Sequence, residues 1–108
     1  MSEVHALSVR ELSTRLASPG RNVWLLDVRT PHEWELARIP GFLRLDATLV
    51  ETVDALDRDV ELVFLCHHGV RSEAAARYFE ERGFNNVWNV VGGIDAWSRE
   101  IDPRVPRY

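Results

Sequence analysis

Apolar residues along this chain follow two rhythms, a spacing of three and four and a short unbroken run, and the two alternate. Val9, Leu12 and Leu16 share the first rhythm. Ser8 and Glu11 frame their start as a capping box, so the pattern predicts a helix from about Val9 to Ala17, stopped by Ser18-Pro19-Gly20. Val23-Trp24-Leu25-Leu26-Asp27-Val28 has the second rhythm, that of a strand buried on both faces, with Asp27 as its polar exception. Thr30-Pro31-His32-Glu33 then offers an N-cap, a proline at the first helical position and a glutamate at the third, which predicts a short helix through Leu36, ending before Ile39-Pro40-Gly41.

The middle of the chain carries weaker signals. Phe42 to Leu45 fits a brief strand, and Leu49, Val53 and Leu56 fit a helix over 47–56. Val60-Glu61-Leu62-Val63-Phe64-Leu65 reads as a second buried strand that delivers Cys66 at its carboxyl end. A turn through His67-His68-Gly69-Val70-Arg71 follows, and a helix opens at Ser72 with Ala74, Ala75, Tyr78 and Phe79 as its packing face and Gly83 as its left-handed cap. Val87 to Val90 forms the last strand, ahead of Gly92-Gly93 and a short helix containing Trp97. Strands alternating with helices predict an α/β fold with a mostly parallel central sheet and helices on both faces, linked by right-handed crossovers. Sites in such folds lie beyond the carboxyl ends of strands, where Cys66 and Asp27 both fall.

Length and composition narrow what this fold serves. At 108 residues, 45% of them hydrophobic and 28% charged, the chain suits one globular domain over 1–108 with a single core system. The formal net charge is -4 and the basic residues are scattered, so a nucleic-acid footprint is missing. No apolar stretch approaches the roughly 20 residues that cross a bilayer. Met1-Ser2-Glu3-Val4-His5 lacks the basic and apolar regions of a secretory signal, which makes the cytoplasm the expected location. All 13 Lys+Arg residues are arginine, which excludes Schiff-base and lysine-nucleophile chemistry. With one cysteine there is neither an internal disulfide nor a resolving thiol, so Cys66 must complete any reaction with an outside molecule.

The segment Cys66-His67-His68-Gly69-Val70-Arg71-Ser72 is a tight turn from a buried strand into a helix N-terminus. Backbone N–H groups that converge in such a turn, with the positive end of the helix behind them, stabilise an anion at sulfur and favour the thiolate. The same cradle suits a persulfide anion. Gly69 supplies a positive φ or close backbone approach, and Arg71 a permanent charge for an anionic donor or a leaving sulfite. A free cysteine often only packs, but the position after the strand and the Gly and Arg that follow favour catalysis here. Two loop histidines tune the electrostatics around the sulfur, and Ser72 is expected as a helix N-cap. Cysteine phosphatases and arsenate reductases use similar equipment in a loop one residue longer than the four residues between Cys66 and Arg71. A metal site is not expected, because Cys66, His67 and His68 are consecutive and cannot easily face one ion.

Leu26-Asp27-Val28-Arg29-Thr30-Pro31-His32-Glu33-Trp34 with Ile39-Pro40-Gly41, the loop Cys66, Gly69, Arg71 and Ser72, and Gly92-Gly93 with Trp97 together resemble the rhodanese family over nearly the whole chain. The likeness is to the small single-domain thiosulfate sulfurtransferases, which implies a cofactor-free ping-pong cycle. Cys66 takes the outer sulfur of thiosulfate, releases sulfite, and passes the sulfur to cyanide or a thiol acceptor such as a thioredoxin-like protein. The resemblance also implies that Asp27 and Arg29 support the active-site loop. Arg38 and Phe42 depart from the family's usual His and Ala around the Ile-Pro-Gly segment. A non-catalytic rhodanese-fold docking module is the alternative, and the intact loop speaks against it.

Overall fold

The computed structural model describes residues 3–18, 20 and 22–108. Ten elements alternate along it: β1 (Val4–Leu7), α1 (Val9–Ala17), β2 (Val23–Asp27), α2 (Pro31–Leu36), β3 (Leu43–Arg44), α3 (Ala47–Asp54), β4 (Glu61–Leu65), α4 (Val70–Glu81), β5 (Val87–Val90) and α5 (Gly93–Glu100). The five strands form one sheet in the order β1-β5-β4-β2-β3, and every neighbouring pair is parallel.

Burial on both faces explains the unbroken apolar runs. On β4, Leu62 and Phe64 enter one core with Val53, Ala76, Phe79 and Phe84, while Val63 and Leu65 enter the other with Leu12, Ile39, Ile94 and Trp97. Side chains alternate across a strand, so a strand covered by α3 and α4 on one face and α1 and α5 on the other favours apolar residues at successive positions, as at residues 62–65. Phe64 is fully buried, and such burial contributes about 1.5–3 kcal/mol. The register places Asp27 level with Leu65, so the β2 and β4 ends emerge side by side at the carboxyl end of the sheet.

The expected helices at Val9–Ala17 and Pro31–Leu36 form with both capping boxes closed. Pro19, in the expected stop after the first helix, lies outside the described residues. Several boundaries differ from expectation, β2 among them, which ends at Asp27 and not Val28. α3 ends at Asp54, β3 and β4 are shorter than their apolar runs, and α4 begins at Val70 with Gly69 as its N-cap. Ser72 is therefore the third residue of the helix and not its cap; the turn needs the positive φ of Gly69 at the cap, which no serine adopts cheaply. β1 was not foreseen. Its Val-His-Ala-Leu lacks a strand rhythm and it exists by pairing with β5. Among the described residues no helix is long and apolar enough to cross a membrane.

Candidate active site

Cys66 follows β4 directly and is 1% exposed. Its Sγ accepts the Gly69 N–H at 3.0 Å and lies 3.2 Å from Ser72 Oγ. Both partners belong to the first turn of α4, so the sulfur sits where the unpaired amides and the positive end of that helix favour negative charge. Val70, expected in the cradle, is 76% exposed and makes no described hydrogen bond to the sulfur.

The loop's carbonyls face the other way. Ile94 N–H donates to Cys66 O at 2.9 Å and Asp95 N–H to His67 O at 3.1 Å. The start of α5 has no side-chain cap; its free amides are satisfied by the cysteine loop instead, which ties the two segments together. That close approach explains the Gly92-Gly93 pair. Gly93 has φ +60°, and a Cβ there would collide with the carbonyls of Cys66 and His67. A Cβ on Gly69 would press on Val90 O at 3.1 Å and Gly92 N at 3.2 Å.

Arg71 is drawn into a bidentate pair with Glu33, at 2.6 and 2.8 Å. The Arg71 guanidinium first, then the Tyr108 hydroxyl and the Thr30 backbone, hold the Glu33 carboxyl far below the usual carboxylate range. Glu33 thus closes the capping box of α2 and also neutralises the loop arginine across the rim. The sequence shows only the first of these roles.

Asp27 and Arg29 are fully buried and paired, Nε to Oδ1 at 2.9 Å and Nη2 to Oδ2 at 2.7 Å. The other guanidinium protons reach Ala37 O, Glu33 O and the Tyr108 hydroxyl. Among the described hydrogen bonds neither side chain reaches residues 66–72. Glu33 connects Arg29 to the loop: its backbone carbonyl accepts from Arg29 and its carboxylate pairs with Arg71.

His67 is half-buried between two rings, His68 at 3.9 Å and Tyr108 at 4.0 Å. Burial, and then the neighbouring His68, lower its pKa from the ordinary histidine value, so it is neutral near pH 7. Its Nε2 is buried without a hydrogen-bond partner. His67, His68 and Asp95 bring ligand atoms within 4.8 Å of one another, a juxtaposition that consecutive numbering in the loop did not suggest. Cys66 is not part of it, and Arg99 and Arg107 already occupy the Asp95 carboxylate at 3.2 and 3.0 Å. Sequence reasoning also missed Asn89, which contacts both Gly69 and Ser72, and Tyr108. A lone Asn in the apolar run of β5 was a usable signal. Tyr108 carried none, because its contacts join residues far apart in the chain.

The structure is an all-parallel α/β domain with its lone cysteine at a strand's carboxyl end, against the N-terminus of the next helix. The family comparison places it: the rhodanese-like domain matches residues 8–100, and the chain belongs to that family. It is 34% identical to the thiosulfate sulfurtransferase GlpE of Pseudomonas paraeruginosa over 95% of this chain and 92% of that protein. The rhodanese-like/PpiC domain-containing protein 12 of Arabidopsis thaliana is 35% identical over 97% of this chain, which spans only 38% of that relative's length. A rhodanese-related protein from Thermoplasma volcanium superposes with a TM-score of 0.73 at 30% identity, covering 96% of this chain and 99% of that one.

Proposed function

We propose that this domain is a sulfurtransferase that carries sulfane sulfur as a persulfide on Cys66. The observation that carries the reading is the sulfur's environment. Sγ takes the Gly69 amide and sits beside the Ser72 hydroxyl at the N-terminus of α4, a setting built to hold one anionic sulfur. Likeness to a thiosulfate sulfurtransferase along almost its full length favours thiosulfate or a related sulfane donor.

In the first half-reaction the Cys66 thiolate forms a bond to the donor's outer sulfur. The S–S bond within thiosulfate breaks, and sulfite leaves with the electron pair. In the second, cyanide or a thiolate attacks the terminal persulfide sulfur and Cys66 leaves as the thiolate. A thioredoxin-like protein is one acceptor of suitable chemistry. Arg71 serves at the rim as half of the Glu33 pair. The loop of four residues between Cys66 and Arg71, one shorter than in a cysteine phosphatase, favours a single sulfur over a tetrahedral phosphate.

The test is thiocyanate formation from thiosulfate and cyanide, alongside hydrolysis of para-nitrophenyl phosphate. The wild type is expected to form thiocyanate and to leave the phosphate ester intact, and Cys66→Ser to form no thiocyanate and to leave the ester intact as well. Phosphate-ester hydrolysis without thiocyanate would move the assignment to a phosphatase. Silence in both assays would move it to a non-catalytic docking module.

A further inference from the structure

Asn89 interrupts the apolar run of β5 and is 8% exposed, in register with Phe64 of β4 and Ala6 of β1. A buried amide in the middle of a sheet needs a partner on each arm, and here both partners belong to the sulfur's cradle. Nδ2 donates to Gly69 O at 3.0 Å. That carbonyl can only accept, so the amide has one orientation, with Oδ1 turned to Ser72 Oγ at 2.5 Å. Asn89 makes no described contact with the sulfur itself.

We propose that Asn89 is the positioning residue of the cradle, fixing with one amide both groups that touch the Cys66 sulfur. Gly69 caps α4 at φ +96°, close to residues 90–92, and a glycine has more backbone freedom to lose than any other residue. Through Nδ2, Asn89 pins the residue whose N–H donates to Sγ. A serine hydroxyl carries one proton and swings among three rotamers. Through Oδ1, Asn89 gives that proton a second acceptor and keeps Oγ within 3.2 Å of the sulfur whichever group the proton serves. The inference rests on Cys66 as the sulfur carrier.

The experiment is single-turnover loading of sulfur onto the full chain, followed by intact mass at varied thiosulfate. Wild type, Asn89→Ala, Asn89→Asp, Ser72→Ala and the double variant Asn89→Ala/Ser72→Ala are compared. In Asn89→Ala the loading rate constant at saturating thiosulfate falls at least about 10-fold, while the half-saturating concentration stays within about 2-fold, because the rim pair is untouched. The fraction finally loaded matches wild type, which a loss of folded protein would not allow. Asn89→Asp, although nearly the same size, loses at least as much: its carboxylate cannot donate to Gly69 O and competes for the Ser72 proton. In the Ser72→Ala background, Asn89→Ala costs less than it does in the wild type.

A wild-type rate constant in either Asn89 variant overturns the proposal, as does a loss confined to the loaded fraction. If Asn89→Ala does not fold, Asn89→Asp carries the same comparison. Inorganic polysulfide serves as a second probe. Loading from it but not from thiosulfate leaves the comparison intact and corrects only the donor, whereas no loading of wild type from either probe contradicts the parent reading together with this one.

Discussion

Each side chain around the sulfur does one local job that an adjacent job depends on. Glu33 is the clearest case: it caps α2, pairs with Arg71 and accepts from Tyr108. Its depressed pKa means that its contribution is present above the ordinary carboxylate value and is lost as pH falls through that value toward the folded one. Glu33→Gln is therefore expected to cost about 1 kcal/mol at pH 7, a modest figure because Arg71 is half exposed. The stability gap between wild type and variant should narrow as pH drops below about 5. Urea unfolding across that range checks this, and a gap constant with pH would contradict it. Asp27→Ala strands the buried Arg29 charge and is expected to cost about 3–5 kcal/mol in the same assay. The loop of Cys66, Gly69 and Arg71 was legible at this scale because Cys, Gly and Arg have few other reasons to cluster. The Arg71 pair of Glu33 and the contacts of Asn89 and Tyr108 were not read, since each joins residues distant in the chain.

Elements with strong end signals were the readable ones. Both capping boxes located a helix start to the residue, because a capping box is chemistry within four neighbouring positions. β1 and the start of α4 failed for the opposite reason: partner strand and loop geometry decide them, and neither is local. The Gly92-Gly93 pair, visible only as a motif in the sequence, is in the structure the contact between α5 and the cysteine loop. Gly93→Ala combines a left-handed backbone with a Cβ driven into two carbonyls. It is expected to cost at least about 2 kcal/mol and to slow sulfur loading, because the loop must move to make room. A variant with wild-type urea midpoint and wild-type loading rate would show that α5 does not hold the loop.

At the scale of the molecule, the C-terminal segment returns to the site. Tyr108 stacks on His67, and its hydroxyl joins Arg29 to Glu33. The first signature, the cysteine loop and the chain's last described residue are thereby one network. Tyr108→Phe keeps the stack and removes the two hydrogen bonds, with an expected cost of about 1–2 kcal/mol. Thermal unfolding reads the cost, and a Tm equal to wild type would contradict the network. The layered fold itself followed from pattern, because strands covered on both faces are apolar apart from polar residues with buried partners, here Asp27 and Asn89.

Intact mass after incubation with thiosulfate, and again after cyanide, tests the central claim most directly. The account predicts that wild type gains one sulfur atom, that cyanide removes it with thiocyanate appearing, and that Cys66→Ser gains nothing. A wild-type mass unchanged by thiosulfate and by polysulfide, or a sulfur adduct that also forms on Cys66→Ser, would contradict a persulfide cycle on this cysteine.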